Sequence, residues 1–122
     1  MKRILLLDDD QDNLTILTFI LESAGHEVKA LASGENVFEL IAQYDPHLLL
    51  MDVRLGMLDG RIICRNIKEN ALTAGLPVIL ISGLHNLEDV LQQTGAPNDC
   101  IAKPYDIDYL QSRVEKQLNN TN

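Results

Sequence analysis

The sequence has no surplus of positive charge: ten Lys and Arg stand against eighteen Asp and Glu, for a formal charge of -8. That balance offers no electrostatic footprint for nucleic acid or anionic lipid, so DNA binding by the chain alone is not expected. Long hydrophobic runs are absent too. The apolar stretches Ile4 to Leu7 and Leu48 to Met51 fall far short of the roughly 20 residues that cross a bilayer. The run behind Met1-Lys2-Arg3 breaks at Asp8, too soon for a secretory signal, and no small-residue cleavage site follows it, so a cytoplasmic address without membrane contact is expected. Cysteine is scarce. Cys64 and Cys100 cannot build a disulfide framework, and with no CxxC or Cys/His pairing they offer no zinc cage; both read as small buried hydrophobes. Neither low-complexity sequence nor a Pro/Gly-rich linker interrupts the chain, which predicts a single domain over 1–122.

What is present is an alternation of short β-rich runs with helical periodicity. Arg3 to Leu7 is a compact apolar run. A helix is expected from about Asn13 to Ala24, with Leu14, Leu17, Ile20, Leu21 and Ala24 on one face, Asp10 or Asp12 as its cap and Gly25 as its stop. Glu27 to Leu31 carries charges opposite Val28 and Ala30 and reads as a peripheral strand. Ser33 is expected to cap a helix carrying Val37, Leu40 and Ile41. Leu48 to Met51 and Val78 to Ile81 lack alternation, as central parallel strands do. Between them a helix is expected from Arg61 to about Asn70. A weaker helical segment around Leu87 to Gln92, a strand near Cys100 to Ala102 and a closing helix with Ile107, Leu110, Val114 and Leu118 on one face complete the pattern. Five βα repeats with right-handed crossovers predict a doubly wound α/β sandwich, whose ligands bind where the strands end.

Those ends are polar. Asp8, Asp9 and Asp10 follow the first strand, Asp52 the third, Ser82 the fourth and Lys103-Pro104 the fifth. Each alone has an ordinary explanation: a run of Asp before a helix caps it, and a lone Asp, Ser-Gly or Lys-Pro makes a turn. Together they supply metal ligands, a carboxylate nucleophile, a hydroxyl and an ammonium, the parts of a phosphoryl-transfer site. Clustered carboxylates call for a cation, and Mg²⁺ suits an open mouth of aspartates better than a calcium cage would.

The combination Ile4-Leu5-Leu6-Leu7-Asp8-Asp9-Asp10, Leu48-Leu49-Leu50-Met51-Asp52, Asp59-Gly60, Val78-Ile79-Leu80-Ile81-Ser82-Gly83 and Ala102-Lys103-Pro104-Tyr105 resembles the receiver domains of two-component response regulators, from about Lys2 to about Gln117. The resemblance implies a flavodoxin-like sheet of strand order 2-1-3-4-5 with helices on both faces. It implies that Asp8 and Asp9 hold Mg²⁺, directly or through water, with Asp52 and the backbone carbonyl of Arg54 completing the shell. It makes Asp52 the phosphate acceptor, Ser82 the hydroxyl and Lys103 the ammonium that meet the phosphoryl group, and puts a cis peptide before Pro104. The implied donor is a phosphohistidine on a sensor histidine kinase or a histidine phosphotransfer protein. The domain would then be a switch that catalyses only its own phosphorylation and dephosphorylation, not a metabolic enzyme.

Several positions depart from the family pattern. Cys100 stands where Tyr or Phe is usual, and Gly56 where proline is common. The segment from Ser82 to Gly95 is about two residues short, while Gly95 to Asp99 is one residue longer, so the fourth helix should be short or poorly formed. The expected output motion runs through the Ser82 to Leu84 backbone and that helix, with Cys100 buried in both states. The downstream partner would read the face of the fourth helix, the fifth strand and the Ile107 to Leu118 helix. Arg54 and Leu84 would border the phosphate. His26, His47 and His85 lack partner spacing and read as non-catalytic. With the sequence closing on Leu118-Asn119-Asn120-Thr121-Asn122, no DNA-binding output domain is expected. Two other classes compete: an interaction module that signals without phosphate, against which the intact acidic and basic set argues, and a metal-dependent phosphohydrolase, which needs a second Asp where Arg54 stands.

Overall fold

The computed structural model of the chain describes residues 2–83 and 87–119. Five strands, β1 (Arg3–Leu7), β2 (Glu27–Leu31), β3 (Leu48–Asp52), β4 (Val78–Ser82) and β5 (Asp99–Ala102), form one parallel sheet in the order β2-β1-β3-β4-β5. Among the described residues five helices connect or follow them: α1 (Gln11–Ser23), α2 (Val37–Tyr44), α3 (Gly60–Glu69), α4 (Leu87–Gln92) and α5 (Ile107–Asn119). The expected order and doubly wound architecture are both present.

The two-residue period of a strand sends alternate side chains to opposite layers. Ile4 and Leu6 join Leu48, Leu50, Ile79 and Ile81 in a core against α1 and α5, while Leu5 and Leu7 join Leu49, Met51, Val78 and Leu80 in a second core against α2, α3 and α4. This double coverage explains why β1, β3 and β4 read as unbroken apolar runs. Edge strand β2 is covered on one side and largely exposed, as its charges predict. Cys64 and Cys100 are free and buried in the second core, and burial pushes both thiols up to about 11. No helix among the described residues is long and apolar enough to cross a membrane.

Local signals hold at some ends and fail at others. Asp10 caps α1, accepting from the Asp12 and Asn13 amides, and Gly25 at φ 93° closes it with paired bonds from Gly25 N to Glu22 O and His26 N to Leu21 O. Ala24 is the exposed C-cap instead of a core residue. Ser33 does not cap α2. Its hydroxyl accepts from Glu35 N in a turn one step earlier, and the helix starts behind Asn36, held in the left-handed region at φ 61° with no side-chain cap. Ile107 is half exposed at the start of α5, where the helix has not yet met the sheet, while Leu110, Val114 and Leu118 are buried as expected. The fourth helix is indeed short, six residues. Leu84 and His85 lie outside the described residues, as does the end of the chain beyond Asn119, so the Leu84 boundary role, the Leu84 part of the output route and the C-terminal expectation are not addressed by the structure.

His47 holds the fold at the end of the sheet remote from the aspartates. Its Nδ1 accepts from Arg3 N at 2.9 Å, and its own amide donates to Arg3 O, so β1 and β3 are stapled by a neutral imidazole. Burial, with the charges of Arg3 and Lys2, holds the ring below its ordinary value. A base depressed on folding contributes stability that is present above its unfolded value of about 6.5 and is lost as pH falls through the folded one. His47→Gln is therefore expected to flatten the acid limb of a Tm-versus-pH curve. The wild type should lose the equivalent of one hydrogen bond, about 1 kcal/mol or roughly 4 °C, that the variant does not lose. Parallel acid limbs would refute this role.

Candidate functional site

β3 delivers Asp52 to the carboxyl end of the sheet, where it is only 4% exposed. A buried carboxylate is tolerable only with donors: among the described residues Arg54 N donates to Oδ1 at 2.8 Å, and the Lys103 ammonium forms a charge-assisted bond to Oδ2. Lys103 reaches Asp52 because β5 ends beside β4, with Lys103 N donating to Ser82 O at 2.8 Å and the Lys103–Pro104 peptide in the expected cis form. Burial opposes the ammonium's charge, but the Asp52 carboxylate more than offsets this and, helped by Asp8, holds it above the usual lysine range.

Asp8 is 2% exposed at the end of β1, its Oδ1 accepting from Asp10 N at 2.9 Å. Burial pushes its carboxyl upward, the Asp10 N–H pulls it down, and the nearby Asp52 and Asp9 charges push it up again, with Lys103 opposing. Asp9 is exposed and turns the other way, Oδ2 accepting from Gly56 N at 2.9 Å. Gly56 sits in a hairpin invisible to periodicity: Arg54–Leu55 pairs antiparallel with Leu58–Asp59 around a two-residue turn, with Gly56 at φ 62°. The hairpin is thus fastened to two of the carboxylates through the Arg54 and Gly56 amides. Neither donor was legible in the sequence, since backbone N–H groups leave no residue signature. Ser82 is fully buried at the end of β4. His26 and His47 lie at the other end of the sheet, on Glu115 and Arg3 respectively.

The structure thus brings Asp8, Asp52 and Lys103 into mutual electrostatic reach and sets Ser82 on the strand beside β5. For Arg54 it is the amide, not the carbonyl, that touches Asp52. The donor chemistry fits a hard divalent cation: oxygen ligands only, and an Asp8 charge disfavoured by burial that a cation would favour. Among the described residues, however, no three His, Cys, Asp or Glu side chains are gathered closely enough to hold a metal as they stand. The carboxylates are instead turned to protein donors.

Comparison with known proteins accounts for the arrangement. The DNA-binding dual master transcriptional regulator RpaA of Synechocystis is 32% identical over 123 residues, covering 99% of this chain and 51% of that protein. The chain spans about half of that relative and about a quarter of others such as ZraR of Escherichia coli. Among solved structures, the receiver domain of a Syntrophus aciditrophicus signal transduction histidine kinase superimposes with TM-score 0.88 at 28% identity, covering 98% of this chain and 91% of that one. The receiver domain of the Pseudomonas aeruginosa sensor histidine kinase PA1611, with magnesium coordinated in its active-site cleft, does so with TM-score 0.84 at 27% identity, covering 98% of each chain. The profile of the response regulator receiver domain matches residues 4–115, which span β1 through most of α5 and take in every strand end discussed above, so the chain belongs to that family, the receivers of two-component signalling.

Proposed function

We propose that Asp52 is the phosphoryl acceptor and that the domain takes its phosphoryl group from a phosphohistidine on a sensor histidine kinase or a histidine phosphotransfer protein. The observation that carries this reading is the buried Asp52–Lys103 pair with Asp8 beside it at the mouth of the sheet. An Asp52 oxygen attacks phosphorus, the bond from phosphorus to the donor nitrogen breaks, and the imidazole leaves with the bonding pair and picks up a proton. No general base is required, because the nucleophile is already a carboxylate. Lys103 shifts its donation from the carboxylate to a phosphoryl oxygen, and the Ser82 hydroxyl and the local amides receive the others. Asp8, Asp9, Asp52 and the Arg54 carbonyl would hold Mg²⁺, Asp9 giving up its bond to Gly56 N. When bound, the ion would supply positive charge that offsets the negative charge of the transferring group.

The domain in this reading is a cytoplasmic switch that modifies only itself, as a single 1–122 unit alone or within a longer protein. Its downstream protein reads the α4-β5-α5 face. Intact mass after exposure to a small acyl phosphate tests the chemistry: one phosphoryl group gained with Mg²⁺ and none in EDTA is the expected result. An unchanged mass under both conditions would instead favour an interaction module that works without phosphate.

A further inference from the structure

The Asp59-Gly60 pair has no part in the chemistry above, yet the fold seats it against the acceptor. Asp59 is the N-cap of α3, accepting from Arg61 N at 2.8 Å and pairing with the Arg61 guanidinium, and Gly60 is the first helical residue. A Cβ on Gly60 would lie 2.5 Å from the Asp52 carbonyl oxygen, 3.0 Å from Val53 Cα and 3.3 Å from the Asp52 carbonyl carbon. All three are backbone atoms, so no rotamer change relieves the clash. Gly60 N also donates to Val53 O at 2.7 Å. The start of α3 is thus docked directly on the peptide unit that carries Asp52.

We infer that Gly60 is a positioning residue for the acceptor: the missing side chain sets how deep the Asp52–Val53 peptide sits and therefore where the Asp52 carboxylate stands relative to Lys103. The other side of α3 decides which partner would yield to added bulk. Gln93 Nε2 donates to Arg61 O at 3.0 Å and the Cys64 thiol to Gly95 O at 3.5 Å, while a Cβ on Gly95 would lie 2.8 Å from Arg65 Cα. Backed by the loop between α4 and β5, α3 has little room to retreat, and the displacement passes to Asp52. Lys103 hangs from β5 and does not follow it. Relief of the clash requires a shift of about 0.5–1 Å, and misplacement on that scale costs up to about a hundredfold in rate.

The inference rests on Asp52 being the acceptor, so its test carries one arm that does not. With Mg²⁺ and a saturating small acyl phosphate, Gly60→Ala is expected to label about 10- to 100-fold more slowly, with the half-saturating phosphodonor concentration within about twofold of wild type. In unphosphorylated protein the amide resonance of Arg54, which donates to Asp52 Oδ1, should shift. Leu21→Ala, buried in α1 remote from the site, supplies a comparator that loses stability without slowed labelling or a moved Arg54 resonance. Should Gly60→Ala not fold, Asp59→Ala frees the same helix start without adding atoms and should slow labelling about two- to fivefold with the same shift. Wild-type labelling rates in the folded position-60 or position-59 variant, an unmoved Arg54 resonance, or equal slowing in Leu21→Ala would overturn the inference. Absence of label from Asp52 in the wild-type protein would strike the acceptor reading instead, and the Arg54 resonance would still decide the role of Gly60.

Discussion

Asp52→Asn is expected to show no phosphoryl mass gain with a small acyl phosphate and Mg²⁺, under conditions in which the wild type takes up one group. The amide has nearly the shape of the carboxylate and keeps an oxygen for the Arg54 N–H, so the end of β3 should stay in place. What it lacks is the negative charge that makes a carboxylate oxygen nucleophilic toward phosphorus. Two further effects offset each other. Lys103 loses its partner while remaining partly accessible to water, and Asp8 loses a like charge that pushes its carboxyl up. The substituted protein should therefore remain folded, with an unchanged far-UV circular dichroism spectrum, and fail at chemistry alone. Full labelling of this variant on another residue would remove Asp52 from the acceptor role.

How much of this was legible in the sequence depends on whether the signal lies in side chains or in the backbone. β1, β3 and β4 could be read because a strand covered on both faces must be apolar at every position, and their polar ends stood out against those runs. The aspartates, Ser82 and Lys103 were visible for the same reason. The register between strands, which brings Lys103 onto Asp52, depended on the topology and not on local pattern. The Arg54 to Asp59 hairpin has no signature in the sequence because two-residue strands are too short to show a period, yet its amides are partners of Asp9 and Asp52. At α2 the local rule fails: a serine four residues before the apolar Val37 suggests a cap, but its hydroxyl accepts from the nearer amide of Glu35. Gly60 is the intermediate case. The residue is conspicuous beside Asp59, but the reason for it, that a side chain there would run into the acceptor's own carbonyl, exists only once the start of α3 is docked on the end of β3.

The burial of the Asp8 carboxylate beside two others leads to the second large effect, an inversion of relative stability with Mg²⁺. Burial raises this carboxyl above its ordinary value, and Asp52 and Asp9 add to the rise against the Asp10 amide and Lys103. An acid raised on folding contributes stability that is full below its unfolded value of about 3.9 and is lost as pH climbs through the folded one, so at neutral pH the ionised group is carried at a cost. Asp8→Asn removes that cost and keeps an oxygen for the Asp10 N–H. In EDTA at pH 7 the variant should therefore melt higher than wild type, and the gap should close as pH falls toward 4. Mg²⁺ reverses the order. A ligand present at a hundred times its Kd stabilises the folded state by about 2.7 kcal/mol, a gain the wild type should show and a protein lacking the Asp8 carboxylate should largely forgo. Thermal melts of both proteins across a Mg²⁺ titration are the measurement. A variant that melts lower in EDTA and gains as much from Mg²⁺ as the wild type would show that Asp8 serves the turn into α1 through Asp10 N and has no part in holding the ion.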